Sequence, residues 1–499
     1  MHRALLIFEI LLEIFKHVNA TQDPIALFLP KISAPTYLAA LARTCKTFYE
    51  PAMNELWAEI YGLNPLLGCV TRLYPIIYRA KRPSYKHPDF DDIEPLSANE
   101  ARQFLRHAAR VRSIHLEVAF NHHFRLLSVL PEKTCMFPRL QSLFTASLPC
   151  PTRYLHLFLS PTLRRCVLCA IVSDLKLIVT RCTALEHLYL MSSGPTSSDT
   201  MSILSDSVRV CKRLVTLYFP PLDWAAWEHL SNLPTLFTVT VDMRSMVTSP
   251  SNLDNISLGP FLNLTALSFR AQTAAYITSL MQHSEFPSLK DIVISFCQFP
   301  WADAERFFYA ISQFKACQTL EKIRITSWCS GGQDPDNSWT AITHLRRCPQ
   351  LRVLNLQCPY CCAHLDNNSL LEAMSCWPHI RSLELNDTKC RQATITFRGL
   401  FAALRQCPHL DTLRMLIDAM NIDVDPTTEP SSSRHTSLQL LDVRSAKVVD
   451  TEAVARIIFS MLPCVDKVYH APDSSHANAW HEVRNYLKDL KSSAVVESP

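Results

Sequence analysis

The residues whose spacing best suits chemistry are Cys358-Pro-Tyr-Cys361-Cys362 and nearby His364. A C-x-x-C pair sets two thiolates at a separation that a tetrahedral zinc ion accepts, and a histidine adds a nitrogen ligand. A structural zinc site wants a second pair at matching distance. Cys376 and Cys390 are the candidates, but they flank a repeated apolar segment, so we read no metal. No Ser/His/Asp or Cys/His set among the 19 histidines and 19 cysteines sits in a recognisable catalytic motif. Glycine closes another route, because a phosphate-cradling loop needs closely spaced glycines where backbone approaches the anion. The chain has seven; only Gly331 and Gly332 are adjacent, and no Lys-Ser or Lys-Thr follows them. The expectation is a protein that is not an enzyme and carries no cofactor.

At 499 residues the chain is too long for one compact core, which points to several domains or a repeat array. A hydrophobic fraction of 48% with 19% charged residues is that of a folded protein. The net charge of +4 argues against a broad nucleic-acid surface. Residues 4–15 are apolar but interrupted by Glu9 and Glu13, unlike the core of a signal peptide. No uninterrupted apolar run reaches the roughly 18 residues of a membrane span. These features predict an intracellular protein, cytoplasmic or nuclear, without a membrane partner and with reduced thiols.

One pattern, (Cys or apolar)-Pro-x-Leu-x-x-Leu-x-Leu, recurs from about residue 108 to 470. Clear copies are CTALEHLYL (182–190), CPQLRVLNL (348–356) and CPHLDTLRM (407–415); RVRSIHL (110–116) and FPRLQSLFT (137–145) are weaker. Their first leucine-type positions fall at 111, 140, 163, 185, 214, 236, 264, 289, 320, 351, 380, 410, 438 and 465. That spacing is the period of a leucine-rich repeat. The last apolar positions alternate with period two, so each copy predicts a short strand burying one face. Between them runs helical periodicity, as in the stretch that starts at Trp301. Cys182, Cys211, Cys317, Cys348 and Cys407 share the first slot of the motif with Phe, Leu and Trp, which marks a buried apolar slot. The asparagine that usually follows the strand is missing from most copies, which predicts an irregular array. After the last copy, Trp480, Val483, Leu487 and Leu490 recur at helical spacing and predict a capping helix, while 425–436 reads as a loop.

Residues 1–61 differ. A helix from Arg3 to Val18 is apolar around more of its surface than a small core consumes; a second from Thr36 to Tyr49 and a third toward Trp57 follow. The pattern formed by Ile7, Glu9, Ile10, Leu11, Ile14, Phe15, Leu38, Leu41, Cys45, Lys46, Phe48 and Trp57 resembles an F-box. Phe8 stands where that pattern has proline, and Asn19 to Pro35 makes the first inter-helix loop longer than usual. The following stretch, with Ser97 and Glu100 as a capping box, is similar to the linker of the large fungal family of F-box proteins with leucine-rich repeats.

The resulting fold expectation is α/β: a three-helix F-box-like module (1–61), a helical linker or cap (62–107), an irregular leucine-rich-repeat solenoid (108–470) and a C-terminal capping helix with tail (471–499). Parallel strands would form the concave side and helices the convex side. The resemblance implies a substrate receptor of a cullin-RING (SCF-type) ubiquitin ligase, with a Skp-family adaptor and a cullin scaffold as partners. Leu6, Ile7, Phe8, Ile10, Leu11, Ile14, Phe15, Leu38, Leu41, Cys45, Lys46 and Phe48 would meet the adaptor. An unidentified target protein would meet the outward strand residues His187, Tyr189, Tyr218, Arg324, Asn355, Glu384, Arg414 and Asp442. The alternative is a leucine-rich-repeat scaffold working outside a ligase.

Overall fold

The structure is a computed structural model that describes residues 7–20, 34–78, 93–116, 121–131, 135–145, 152–169, 175–191, 197–244, 258–329, 341–358, 365–387, 393–425, 434–471 and 477–496. The chain divides into two compact units, Met1–Ala226 and Trp227–Pro499, with the division inside the helix Trp224–Ser231.

In the first unit six strands pair in parallel in chain order: β1 (Glu59–Tyr61), β2 (Ser113–Leu116), β3 (Ser142–Thr145), β4 (Arg165–Cys169), β5 (His187–Met191) and β6 (Thr216–Phe219). The second unit has nine: β7 (Thr238–Met243), β8 (Ala266–Ala271), β9 (Asp291–Gln298), β10 (Lys322–Cys329), β11 (Val353–Gln357), β12 (Ser382–Leu385), β13 (Thr412–Arg414), β14 (Leu440–Asp442) and β15 (Lys467–Tyr469), again parallel and sequential. Each of the fourteen motif copies falls on one strand, β2 to β15, which begins two residues after the first leucine-type position. The architecture is α/β, built from strand–helix repeats of the leucine-rich kind.

Register shows why the motif works. Ile60, Ile114, Leu143, Cys166, Leu188 and Leu217 stand opposite one another, and all are buried. In the second unit the equivalent line runs from Val239 through Leu267, Ile292, Ile323, Leu354, Leu383, Leu413 and Leu441 to Val468. Burying such a side chain contributes about 1.5–3 kcal/mol, and a slip by one residue would turn the whole line to solvent. The helices supply the other wall of each core: in Trp301–Gln313, Ala304, Phe307, Phe308 and Ile311 are buried at helical spacing. The five slot cysteines are buried as well. In the C-terminal helix Ala477–Val496, Trp480, Val483 and Leu487 are buried, and the Trp480 indole donates to the Ala446 carbonyl at 2.7 Å.

Two features depart from the sequence reading. The sheet starts at β1, within residues 1–61 and before the first motif copy. Three residues (Glu-Ile-Tyr) are too few to show periodicity, yet Ile60 takes its place in the buried line. Gly62 then turns the chain at φ +74 while its N–H donates to the His115 carbonyl at 2.7 Å. The helix expected from Thr36 to Tyr49 is two helices. We label the front helices α1 (Phe8–Ala20), α2 (Ala34–Ala42) and α3 (Lys46–Leu56). The break falls where Cys45 adopts an extended conformation and the Thr44 hydroxyl donates back to the Leu41 carbonyl at 2.8 Å.

The segment from 62 to 107 carries the helices Asn64–Leu67, Tyr74–Tyr78 and Ala98–Ala108. The last opens with the expected capping box between Ser97 and Glu100. The Arg72 guanidinium, 3.1 Å from Glu100, and the Ser97 N–H hold that carboxyl down at about 2. Among the described residues, no helix is long and apolar enough to cross a membrane.

Candidate protein-binding surfaces

The front helices make a small core of their own. Leu11 and Phe15 of α1 are buried against Leu38 and Ala42 of α2 and Ala52 of α3, with Val18, Leu41, Phe48 and Tyr49 packed around them. Phe15 and Phe48 meet edge to face at 5.6 Å. The other side of the apolar arc stays open. Ile7, Ile10 and Ile14, spaced i, i+3 and i+7, are 48%, 38% and 39% exposed, and Phe8 is 44% exposed. Half-exposed hydrophobic side chains along one helix edge form an apolar strip that the described residues do not bury.

The expected adaptor set therefore splits. Ile7, Phe8, Ile10, Ile14 and Lys46 lie at the surface. Leu11, Phe15 and Leu38 are corrected to core residues: each is no more than 2% exposed and cannot reach a partner without opening the module. Leu41 and Phe48 are half-buried on that core, and Cys45 is the half-buried cap of α3. Leu6 and most of the 19–35 loop lie outside the described residues. α3 is held to the repeats by charge: Arg110 lies 2.7 Å from both Glu50 and Asn54, and Arg112 is 2.6 Å from the buried Glu55. The Trp57 ring lies 4.7 Å from His107.

On the strands, the residue four places after each first leucine-type position points away from the core. In the first unit this line reads Tyr61, His115, Phe144, Val167, Tyr189, Tyr218. Tyr61 stacks on His115 at 4.7 Å, His115 lies 5.3 Å from Phe144, and Tyr189 stacks on Tyr218 at 6.4 Å. The Arg165 guanidinium sits over the Tyr189 ring at 5.8 Å. His187 lies beside it in the neighbouring line with Arg165. Burial, then the Arg165 charge, lowers the imidazole pKa.

In the second unit the same positions include Arg324, Asn355, Glu384, Arg414 and Asp442, which stand in register. They are occupied with charged or polar neighbours, four of them with one another. Asn355 donates to Glu384 at 3.0 Å, Arg414 lies 3.4 Å from Glu384 and 3.8 Å from Asp442, and Arg444 is 3.7 Å from Asp442. Arg324 lies 3.7 Å from Asp291. The row expected to contact a target is thus two chemically different rows. Tyr61, His115, Phe144 and Arg165 were missed. His115 and Phe144 sit at the same offset as Tyr189 in weaker motif copies, so the offset alone could have found them. Tyr61 had no signal, since β1 carries no copy.

Among the described residues, no reactive side-chain cluster gathers elsewhere. Burial pushes the Cys182, Cys211 and Cys407 thiols up to about 12, and the Cys166 thiol higher still, so these are packing groups with negligible thiolate. Of the zinc-like constellation, Cys358 is buried at a strand end, and half-buried Cys376 donates to the Glu372 carbonyl at 3.3 Å. Cys361, Cys362, His364 and Cys390 lie outside the described residues. Among the described residues, no three His, Cys, Asp or Glu groups come close enough to hold a metal.

No protein-family model matches the chain, and no curated protein does. Among solved structures, it is similar to a chain of the yeast Rad7–Elc1 complex, at 13% identity and a TM-score of 0.37 over 92% of both chains. A second is the TLR13–ssRNA13 complex, at 13% identity and a TM-score of 0.30, covering 71% of this chain and 57% of that one. A third is the APL1 leucine-rich repeat domain, at 12% identity and a TM-score of 0.27, covering 74% and 81%. The repeat assignment rests on the strand register above.

Proposed function

We propose that the chain is a substrate-recognition adaptor of a cullin-RING (SCF-type) ubiquitin ligase. The outer edge of α1 docks a Skp-family adaptor, which links to the cullin, and the strand face holds a target protein. The observation that carries this reading is the double use of α1: Leu11 and Phe15 complete a core, while Ile7, Phe8, Ile10 and Ile14 remain half-exposed. Such a protein does no chemistry itself; it raises the effective concentration of a target lysine near a charged conjugating enzyme. Its place is the cytoplasm or nucleus.

The test is co-expression with a fungal Skp-type adaptor, comparing the native chain with Ile10→Asp/Ile14→Asp. Removing two half-exposed apolar contacts and burying two carboxylates should weaken capture by roughly tenfold or more, with the melting temperature unchanged. Capture indifferent to the substitution would sink the proposal. Point changes are preferable to deleting residues 1–61, because that deletion also removes β1 and the Glu55 partner of Arg112.

A second reading is a repeat scaffold working outside a ligase, with the front helices as an end cap. The clamps from Arg110 and Arg112 to α3 favour it. It predicts partners kept, no cullin recovered, and no effect of the α1 substitutions.

A further inference from the structure

The strand series of the second unit ends in a strand with one neighbour among the described residues. β15 pairs with β14 on one side, and no strand of the described residues lies on the other. Beside it runs the C-terminal helix Ala477–Val496, and the two border a groove of about 300 Å³. Its floor is apolar, with Val468 and Leu487 buried. Its rim is basic: Lys467, Arg484, Lys488 and Lys491 stand against the single carboxylate of Asp466. Two of the cations are engaged. Lys491 donates to the Val465 carbonyl at 2.7 Å and lies 3.5 Å from Asp466, and Arg484 is 3.1 Å from His470. Among the described residues the ammonium groups of Lys467 and Lys488 make no ion pair or hydrogen bond, and both side chains are exposed.

We propose that this groove takes an acidic, extended segment of a partner protein, added as a further strand along the free edge of β15. The edge offers alternate unpaired backbone groups, and Lys467 and Lys488 offer two uncommitted charges to its carboxylates. Charge selects this occupant over a second copy of the chain. Pairing two β15 edges would bring one Lys467 toward another, a like-charge contact that opposes the pairing. A lysine on an edge strand also turns away apolar and basic strands; an acidic strand is the one it favours. The groove is distinct from the α1 edge, so the proposal stands or falls apart from the ligase reading.

The experiment uses the full chain and a fluorescein-labelled peptide of alternating Glu and Val, followed by fluorescence anisotropy. Saturable binding is expected, falling as salt rises. Lys467→Glu/Lys488→Glu should weaken it roughly tenfold, as two rim charges of modest worth allow, and should turn preference toward a Lys–Val peptide. A proline replacing the central valine should weaken binding by a similar factor, because it removes a strand donor. Circular dichroism checks the variant's fold, and Lys488→Gln in its place gives a smaller loss. Absence of saturable binding, or equal binding by native chain and variants, overturns the proposal. So does tighter binding of a single-stranded oligonucleotide through the same lysines, which assigns the groove to phosphates. A dimer seen by sedimentation that Lys467→Glu changes assigns it to a second copy and overturns it too.

Discussion

The outward strand positions of the two units share an offset from the motif and differ in what they leave unsatisfied. In the first unit ring meets ring: Tyr61 stacks on His115, His115 lies tilted against Phe144, and Tyr189 stacks on Tyr218. In the second they bond polar group to ion and ion to ion, along Asn355, Glu384, Arg414 and Asp442. A carboxylate held by a guanidinium and an amide has few lone pairs left for a partner, and displacing its neighbours costs energy before any is gained. A row of aromatic rings has no such ionic network to break first. Tyr and Arg are the residues that concentrate binding energy at interfaces, and Arg165 over Tyr189 supplies both. The same scaffold position therefore carries a self-paired polar row in one unit and an aromatic row in the other.

The sharpest way to break this comparison is at Tyr189 and Tyr218. If the aromatic row is the target surface, Tyr189→Ala/Tyr218→Ala should reduce recovery of the bound target on the order of ten- to a hundredfold, as for central hot-spot residues. Quantitative affinity purification of the native chain beside the variant reads the effect. Arg324→Ala, in the ionic unit, is the matched control and should leave recovery unchanged. A target lost with Arg324→Ala and kept by the tyrosine variant would reverse the assignment.

A smaller effect, on stability, belongs to the ionic row. Glu384→Ala leaves Arg414 and Asn355 without their shared acceptor. Both are partly exposed, so water recovers part of the loss, and about 1–2 kcal/mol is expected from the usual cost of a charged hydrogen bond after that discount. Urea unfolding should show a lower midpoint with an unchanged slope. Glu384→Gln should restore part of it, because the amide oxygen still accepts. An unchanged midpoint in the alanine variant would show that the row is not cohesive.

Much of this was legible in the residues alone, for a physical reason. Side-chain alternation has a period of two, so a leucine-type position fixes which neighbours face the core. Ile323 and Leu354 read as buried and Arg324 and Asn355 as outward without coordinates. The pairing between Glu384 and Arg414 was not legible, since it depends on adjacent strands standing level across a gap of 30 residues. Nor could the apolar arc of α1 be divided. Its width announced surplus, but whether Leu11 or Ile10 faced inward depended on where α2 and α3 packed. The break at Cys45 that places those helices has no strong breaker: no glycine or proline stands between Ala42 and Lys46. β1 escaped for want of length, although it extends the aromatic row by Tyr61.

The smallest expected effect lies where the aromatic row meets charge. His187 is half-buried beside Arg165, and both conditions lower its pKa below that of an ordinary histidine. Its Nδ1 is buried without a hydrogen-bond partner. The neutral ring is thus the form the fold prefers. In the unfolded chain the ring takes a proton near its ordinary value of about 6.5, so below that pH the unfolded state binds more protons than the folded one. Stability should be full above this range and decline as pH falls through it toward the lowered folded value. His107 and His344 are lowered by burial too and contribute in the same direction, so the native profile alone does not isolate His187. The difference between native chain and His187→Asn does: unfolding midpoints from pH 7 to 5 should fall less steeply in the variant, by under one proton's worth of slope. Parallel profiles would mean that the histidine is solvated in the fold. The aromatic row would then be open to water at its centre, and the contrast with the self-satisfied ionic row would lose its clearest electrostatic mark.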